Sequence, residues 1–497
     1  MPAPDPITDT IAAISTPPGR GGIGIVRLSG PLAASIAVQL VRMRHPLEHA
    51  HARLADVLDA DNPARDETTR IDEALVTFFA APNSYTAEDL VEIAAHGSPV
   101  VLDLLLRRAL ELGARLAEPG EFTQRAFLSG RLDLTQAEAV RDLIDAQTLT
   151  QARQAASQMG GALSHRVAPV KQALVELVAL LEAGIDFAED DLDVTPQQEI
   201  SRRIAELTPP LAALEASFAR GRIVHDGLTL AIVGRPNAGK SSLFNRLAER
   251  DRAIVTAAPG TTRDLVTERI SIGGIPIELV DTAGLREGSP RSLDGSAAGI
   301  LEEAEQLGIH RSREALADAA LVLIVLDATQ NLNDEEHRLL AAVVGRPAIV
   351  AINKSDLLKS VELVSSKLES ANSEAPRPEN DLPSAIAQEP ALKAVTALPT
   401  SALTGEGIAA LREKILALAT GGAAAEPGML TNLRQHQAIT TTLGALADAA
   451  KANAAAIPHE MILLDLYRAL RALDSLTGQT TPDDILNLIF STFCIGK

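Results

Sequence analysis

The chain has 497 residues, a formal net charge of −20, 46% hydrophobic residues, no Trp and a single Cys. This length corresponds to about three domains. One cysteine excludes an internal disulfide framework, and the acidic balance argues against non-specific attraction to nucleic-acid phosphates. The first ten residues lack the basic and apolar regions of a signal peptide, and no apolar run is long enough to cross a bilayer, so we expect a cytoplasmic protein with no membrane partner.

Residues 1–119 show a mixed pattern of strands and helices. Residues 21–30 (GGIGIVRLSG), 73–82 (EALVTFFAAP) and 89–97 (DLVEIAAHG) predict strands. Residues 99–113 predict a helix that ends at a glycine. This mixture is typical of an α+β domain.

Helical and α/β patterns alternate through the rest of the chain. From 120 to 222 apolar residues recur at helical spacing, and the clearest predicted buried stripe consists of Val170, Leu174, Leu177, Leu181 and Ile185. Residues 223–422 contain short apolar segments (LTLAIVG, IPIELVD, ALVLIVLD, AIVAIN) that favour a mostly parallel sheet covered on both faces. Residues 423–497 are helical again. We therefore predict an α/β domain inserted into a helical domain.

A phosphate-binding motif opens the α/β domain. Residues 234–241, GRPNAGKS, match G-x-x-x-x-G-K-[ST] between a predicted strand and a predicted helix. Lys240 is expected to reach the β- and γ-phosphates, Ser241 is expected to ligate Mg²⁺, and the helix N-terminus adds a favourable dipole. The predicted nucleotide-binding residues of this motif are Asn237, Ala238, Gly239, Lys240, Ser241 and Ser242.

Three further segments follow in the order and spacing of a GTPase domain. In DTAG (281–284), Asp281 can bind Mg²⁺ through water and the Gly284 N–H can sense the γ-phosphate. In NKSD (353–356), the Asp356 carboxylate can accept hydrogen bonds from N1–H and the exocyclic amine of guanine, a donor pair that adenine lacks. SAL fits the loop beneath the base. These segments add the predicted nucleotide-binding residues Asp281, Thr282, Ala283, Gly284, Asn353, Lys354, Asp356, Ser401, Ala402 and Leu403.

The segment before DTAG supplies the remaining predicted contacts. GTTRD (260–264) lies where a switch threonine must fold over Mg²⁺, and we assign Thr262 to that role. The predicted nucleotide-binding residues here are Thr256, Ala257, Ala258, Pro259, Gly260, Thr261 and Thr262.

The residue after the DTAG glycine is unusual. Many GTPases place a Gln there to orient the attacking water, whereas Leu285 cannot form a hydrogen bond. Either hydrolysis is slow or another group positions the water, and Glu287 is the nearest candidate, with a solvated loop glutamate as the alternative. The side-chain oxygen of Asn237 could hold a monovalent cation that supplies the charge of an arginine finger.

Segments along nearly the whole chain resemble the MnmE (TrmE) family of tRNA-modifying GTPases. They are DTIAAISTPPGRGGIGIVRLSG, PGEFTQRAFLSGRLDLTQAEAVRDLIDA, GRPNAGKSSLFN, GTTRD, DTAGLRE and the C-terminal CIGK. The resemblance implies a folate-binding-like, dimerising N-terminal domain (1–119), a helical domain in two parts (120–222 and 423–497), and an inserted Ras-like P-loop GTPase domain (223–422). It also implies a homodimer that forms a heterotetramer with the FAD-containing protein MnmG. Together they would add an aminomethyl or carboxymethylaminomethyl group to C5 of the wobble uridine of certain tRNAs, using a tetrahydrofolate one-carbon unit.

The resemblance also implies residue roles. K⁺, which promotes pairing of the GTPase domains and hydrolysis, would be bound by Asn237, Thr256, Ala258 and Thr261. Glu287 would be the catalytic acidic residue, and FAD would be present only in the partner. Folate would be bound by Arg27, Glu92, Arg131 and Lys497. Two positions depart from the family pattern: Arg131 stands where Lys is commoner, which keeps the charge but changes its shape, and HGS at 96–98 replaces HGG.

The lone cysteine, Cys494, lies in the C-terminal segment FCIGK. Phe490 and Phe493 precede it, which predicts that the tail is docked, because buried contacts are needed to offset the entropy of ordering a chain end. We expect the tail to close the one-carbon site, with Lys497 contacting folate. Cys494 would be either a nucleophile toward the uracil ring or a neutral wall, and the sequence does not choose between them.

Two alternatives stay open at the level of sequence. A ribosome-assembly GTPase of the Era or Der kind shares the P-loop core, although a Der-type chain would need a second P-loop and an Era-type chain a basic tail. A GTP-gated scaffold would leave all modification chemistry to its partner. The sequence does not specify which tRNAs are modified, whether glycine or ammonium is the amine donor, or what the inserted loops 288–299 and 360–395 do.

Overall fold

The computed structural model describes residues 9–58, 70–186, 196–248, 266–281, 319–358, 395–422, 426–478 and 496. The chain divides into two compact units. One unit consists of residues 1–141, 156–209 and 438–497, and the other of residues 142–155 and 210–437. Within the described residues, none of the helices combines the length and apolar character needed to cross a membrane.

The first unit contains a mostly antiparallel sheet with the strand order β3-β4-β5-β6-β2-β1-β7. The strands are β1 (Ile11–Ile14), β2 (Gly21–Ser29), β3 (Val41–Met43), β4 (Ala52–Leu58), β5 (Arg70–Phe79), β6 (Leu90–Gly97) and β7 (Arg115–Leu116). The predicted strands in 21–30, 73–82 and 89–97 are thus confirmed as β2, β5 and β6. Side chains alternate between the faces of a strand.

Two helices cover one face of this sheet. They are α1 (Ala33–Leu40) and α2 (Pro99–Glu111), the latter being the helix predicted for 99–113. Leu28 and Ile93 are fully buried in the core beneath them, and each such side chain stabilises the fold by about 1.5–3 kcal/mol. Arg27 precedes Leu28 in β2, so its side chain points to the opposite face. The alternation of β2 therefore places Arg27 outside this core.

The remaining helices among the described residues are α3 (Glu121–Leu128), α4 (Leu134–Asp145), α5 (Leu149–Met159), α6 (Ala162–Asp186), α7 (Gln197–Asp226), α8 (Lys240–Ala248), α9 (Asp334–Ala342), α10 (Ile408–Thr420), α11 (Leu433–Ala454) and α12 (His459–Thr477). In the first unit α6 packs along α12, and Lys171 Nζ lies 2.7 Å from a carboxylate oxygen of Asp474. The predicted stripe of α6 is confirmed from Val170 to Leu181, whose members are all buried, whereas Ile185 is half-buried.

The second unit contains a sheet with the order β13-β12-β11-β8-β10-β9. Its strands are β8 (Leu228–Val233), β9 (Val266–Ile272), β10 (Ile275–Asp281), β11 (Leu321–Asp327), β12 (Ala348–Asn353) and β13 (Thr396–Pro399). All neighbours are parallel except β9 and β10. Every residue of β11 and β12 is buried, as expected for parallel strands covered on both faces.

Helices lie on both faces of this sheet, as predicted. Leu243 of α8 and Leu411 of α10 belong to the core on one face, and Leu340 of α9 belongs to the core on the other. The segments GRPNAGKS, NKSD and SAL follow β8, β12 and β13 respectively. Because these strands are parallel, their carboxyl ends meet at one edge of the sheet, which is where open α/β sheets bind ligands.

Candidate functional site

The phosphate-binding loop joins β8 to α8 and needs glycine at two positions. Gly234 and Gly239 have φ values of +147° and +92°. A Cβ at Gly239 would lie 2.2 Å from Nδ2 of Asn353, so no larger residue fits there. Lys240 Nζ donates to the carbonyl oxygens of Gly234 (2.7 Å) and Arg235 (2.8 Å), which holds the ammonium against the loop. The loop ends at the N-terminus of α8, a position that favours an anion such as a phosphate.

The donor set of this loop fits hard cations. Ser241 and Asn237 are exposed, and Asn237 adopts the left-handed backbone region at φ +62°. A hydroxyl and an amide oxygen are both suitable ligands for Mg²⁺ or an alkali cation. The described residues contain no cluster of three His, Cys, Asp or Glu that could hold a metal ion.

Asn353 connects the phosphate loop to the predicted base loop. Its side chain is 2% exposed, Nδ2 donates to the Ala238 carbonyl at 2.9 Å, and Oδ1 accepts from the Ala402 N–H at 3.0 Å. Both ends of the amide are thus used within the protein. Asn353 therefore positions the two loops relative to each other, and it also lines the cavity beside them.

A cavity of about 220 Å³ lies beside this connection. It is lined by the predicted residues of the phosphate loop and of both base-binding segments: Gly239, Ser242, Asn353, Lys354, Asp356, Ser401, Ala402 and Leu403, together with Leu357. Apolar Leu357 and Leu403 can flank a planar ring, while Asp356 offers a carboxylate at its edge. The arrangement suits a purine that donates two N–H groups.

Asp327 and Arg246, which were not predicted from the sequence, fix the positions of residues that line this cavity. Lys354 Nζ lies 2.7 Å from Oδ2 of Asp327. Burial alone would raise the pKa of Asp327, but the hydrogen bonds from Lys354 and Thr329 outweigh it and hold the pKa below its usual value. Arg246 on α8 donates to the carbonyl oxygens of Ala402 (3.1 Å) and Leu403 (2.6 Å). No local sequence motif marks Asp327 or Arg246 for these contacts.

In the first unit, Arg27 and Glu92 are register partners on β2 and β6. Arg27 donates to Glu92 Oε1 from Nε (3.0 Å) and Nη2 (2.7 Å). The guanidinium also lies 5.8 Å from the ring centroid of Tyr85 and 5.6 Å from that of Phe122, a distance suited to cation–π attraction. Burial raises the pKa of the Tyr85 phenol, while a hydrogen bond with Thr123 and the charges of Arg27 and Arg131 oppose that shift.

Gly496 lies against this pair, as the prediction of a docked tail requires. Its carbonyl oxygen accepts hydrogen bonds from Ser15 Oγ (3.0 Å) and Arg27 Nη1 (3.2 Å). Gly496 has φ +94°, and a Cβ there would lie 2.7 Å from the Ile14 carbonyl oxygen. Only glycine can approach the strand so closely. Sequence reasoning missed Ser15, because nothing adjacent to it signals a partner 481 residues away.

The HGS segment shows why its departure from HGG is tolerated. A Cβ at Gly97 would lie 2.6 Å from the carbonyl oxygen of Gly21, so this position requires glycine. Ser98 precedes α2 with φ −87°, a conformation open to any residue. His96 Nδ1 lies 2.6 Å from Asp72 Oδ1. Serine at position 98 therefore introduces no backbone strain.

Several predicted residues lie outside the described residues. They are Thr256 to Thr262, Thr282 to Leu285, Glu287, Cys494 and Lys497, along with the inserted segments 288–299 and 360–394. Of Asp281, only the backbone at the end of β10 is described.

Comparison with known proteins gives matches along the chain. Residues 10–131 match the family described as "GTP-binding protein TrmE N-terminus", and residues 134–494 match "MnmE helical domain". A protein of Koribacter versatilis named "tRNA modification GTPase MnmE" is 54% identical over 493 residues, covering 99% of this chain and 100% of that protein. A protein of Methylococcus capsulatus with the same name is 40% identical, covering 100% of each chain.

Proposed function

The chain belongs to the MnmE family of tRNA modification GTPases, and from that premise we propose that it couples GTP hydrolysis to tRNA modification. The observation that carries the proposal is the cavity beside the phosphate loop, where Asp356 faces a space framed by Asn353 and Leu403. The match along the full length disfavours a ribosome-assembly GTPase of the Era or Der kind.

In this proposal Lys240 leaves the carbonyls of Gly234 and Arg235 to reach the β- and γ-phosphates. Asp356 selects guanine, and Glu287 positions the attacking water in place of the glutamine that Leu285 replaces. Mg²⁺ would be held by Ser241 and Thr262, with Asp281 acting through water. K⁺ would be held by Asn237, Thr256, Ala258 and Thr261, and would supply positive charge beside the phosphates.

We place the one-carbon chemistry at the pocket of Arg27, Glu92, Arg131 and Lys497. A guanidinium and a carboxylate side by side can pair with the donor and acceptor edge of a pterin, and cationic groups suit folate carboxylates. Gly496 supports this placement because it neighbours Lys497 and follows Cys494 by two residues in the sequence. Cys494 would serve as nucleophile toward uracil or as a wall of the reaction space.

The full proposal includes partners and domains. The chain would form a homodimer and act with the FAD-containing MnmG on C5 of wobble uridine, with methylenetetrahydrofolate as the one-carbon donor. The domains would be residues 1–119 for folate and dimerisation, 120–222 and 423–497 for the helical domain, and 223–422 for the GTPase.

Nucleoside analysis of tRNA tests this function. A strain lacking the protein should lose the modified wobble uridine, and the full-length chain should restore it. A chain without residues 494–497 should hydrolyse GTP but fail to restore the nucleoside. Restoration by the truncated chain would favour a GTP-gated scaffold whose chemistry belongs to its partner.

Cation dependence tests the hydrolysis step. GTP turnover should be much faster in KCl than in NaCl at equal ionic strength, because Na⁺ is smaller than the ion for which the loop is proposed. Equal rates would rule out cation-assisted hydrolysis and leave the positive charge to another group.

A further inference from the structure

A second concave site lies at the edge of the sheet in the first unit, away from the Arg27–Glu92 pair. This arginine groove has a volume of about 540 Å³, and its polar lining consists of Arg42, Arg44, His45, Arg53, Arg70, Asp56 and Glu73. β3 pairs with β4 only from Ala55 to Val57. On the side of β4 that faces away from β5, the residues before Ala55 therefore pair with none of the described strands, and the groove opens there.

Three of the four arginines of the groove form ion pairs with carboxylates. Arg42 donates from Nε and Nη2 to Asp56, Arg70 lies 2.9 Å from Glu73, and Arg53 lies 2.8 Å from Glu48. The hydrogen bond from Arg42 is the main cause that lowers the pKa of Asp56 below its usual value, so the carboxylate stays ionised. These pairs keep three guanidinium groups in place at the groove.

Other N–H donors of the groove have no acceptor among the described residues. Arg44 and His45 are exposed and make no hydrogen bond or ion pair with the described residues. Nε of Arg53 is buried and likewise lacks an acceptor among them. A guanidinium carries five N–H donors, so the groove offers several donors that its own carboxylates do not satisfy.

We propose that the arginine groove binds the phosphate backbone of RNA, which under the proposed function is the tRNA substrate. Guanidinium groups match phosphate oxygens in a bidentate geometry. The described lining contains no Phe, Tyr or Trp, so stacking of bases on aromatic rings is not part of this contact. In a chain of net charge −20, attraction of a polyanion requires a local patch of this kind. The contact is therefore independent of base sequence.

The test uses the full-length protein and a labelled tRNA transcript, with binding measured at several KCl concentrations. Arg44→Ala should weaken binding by about 3- to 10-fold and reduce the slope of log K against log salt by about 1, as loss of one phosphate contact predicts. Arg44→Lys should restore most of that slope. The matched control is Arg107→Ala, which removes an exposed arginine of α2 that pairs with Asp103 and should leave both quantities unchanged.

Three outcomes would overturn the inference. The first is wild-type affinity and salt slope in Arg44→Ala, and the second is an equal loss in Arg107→Ala, which would indicate a general charge effect. The third is normal tRNA binding together with weaker retention of a protein partner, which would assign the groove to that partner. If the wild-type protein binds and modifies tRNA but Arg44→Ala behaves like it, this inference alone fails. If the wild-type protein does neither, the proposed function fails as well.

Discussion

The nucleotide site and the pocket around Arg27 are built in different ways. In the nucleotide site, short loops follow parallel strands of one sheet, and buried Asn353 hydrogen-bonds to the phosphate loop and the base loop at once. Around Arg27, two strands meet Gly496, and the carbonyl of Gly496 accepts hydrogen bonds from Ser15 and Arg27. Local loops on strand ends produce a site whose shape is set by the sheet, whereas the Arg27 region includes a contact with a residue 469 positions away in the chain.

We therefore expect the two sites to respond differently to single substitutions. Ordering a residue costs about 1–2 kcal/mol of backbone entropy, and a net hydrogen bond returns only about 0.5–1.5 kcal/mol. We therefore expect a single change at the contacts of Gly496 to loosen this end of the chain while the sheet stays intact. A substitution in the nucleotide site should instead remove contacts with the ligand while the loops keep their positions.

Replacing the proposed guanine acceptor should produce the largest effect. Asp356→Asn removes an anionic acceptor for two N–H donors, each worth about 1.5–3 kcal/mol, so GTP affinity should fall by about 10²- to 10⁴-fold. Xanthosine triphosphate, which has a carbonyl in place of the amine, should bind the variant better than GTP. Equilibrium titration with both nucleotides measures this, and unchanged GTP affinity would contradict the assignment of Asp356.

Removing the proposed water-positioning residue should affect turnover alone. Glu287→Ala should bind GTP normally, and its hydrolysis should be slower by about 10²-fold or more, the usual contribution of an acid–base group. Single-turnover hydrolysis alongside nucleotide titration separates the two quantities. Glu287→Gln keeps the shape and serves as the matched variant. Unchanged turnover in Glu287→Ala would assign the water to another residue.

The sequence predicted most of the fold, and the predicted nucleotide-binding loops meet at one cavity, because their signals are local. The buried strands β11 and β12 are continuous apolar runs, and each loop motif carries its own spacing. Ser15, Arg246 and Asp327 could not be predicted, because their roles depend on partners brought near by the tertiary fold. The role of Asn353 as a connector was missed for the same reason, since both of its partners come from other loops.

A side chain on the docked glycine should release the tail. Gly496→Ala places a Cβ 2.7 Å from the Ile14 carbonyl and adds about 1–2 kcal/mol of left-handed backbone strain, so tRNA modification should fall by about 10-fold or more with GTP hydrolysis unchanged. Gly422→Ala is the matched control, because Gly422 has φ +79° but no atom of the described residues lies within 4 Å of its Cβ position. Equal loss in both variants, measured as modified nucleoside per tRNA, would mean that close approach to the strand is unimportant.

The smallest effect should come from Ser15, which shares the Gly496 carbonyl with Arg27. Ser15→Ala removes one hydrogen bond of 3.0 Å but keeps the Arg27 contact and the backbone hydrogen bond from Ser15 to Ile25, so the sheet should fold normally. The expected loss of about 0.5–1.5 kcal/mol in docking corresponds to about 2- to 10-fold faster release of Lys497 by a carboxypeptidase. Ser15→Thr retains a hydroxyl and should slow that release again, whereas a general structural defect would not be corrected by it. Release at the wild-type rate in Ser15→Ala would show that the Ser15 hydroxyl does not hold this end of the chain.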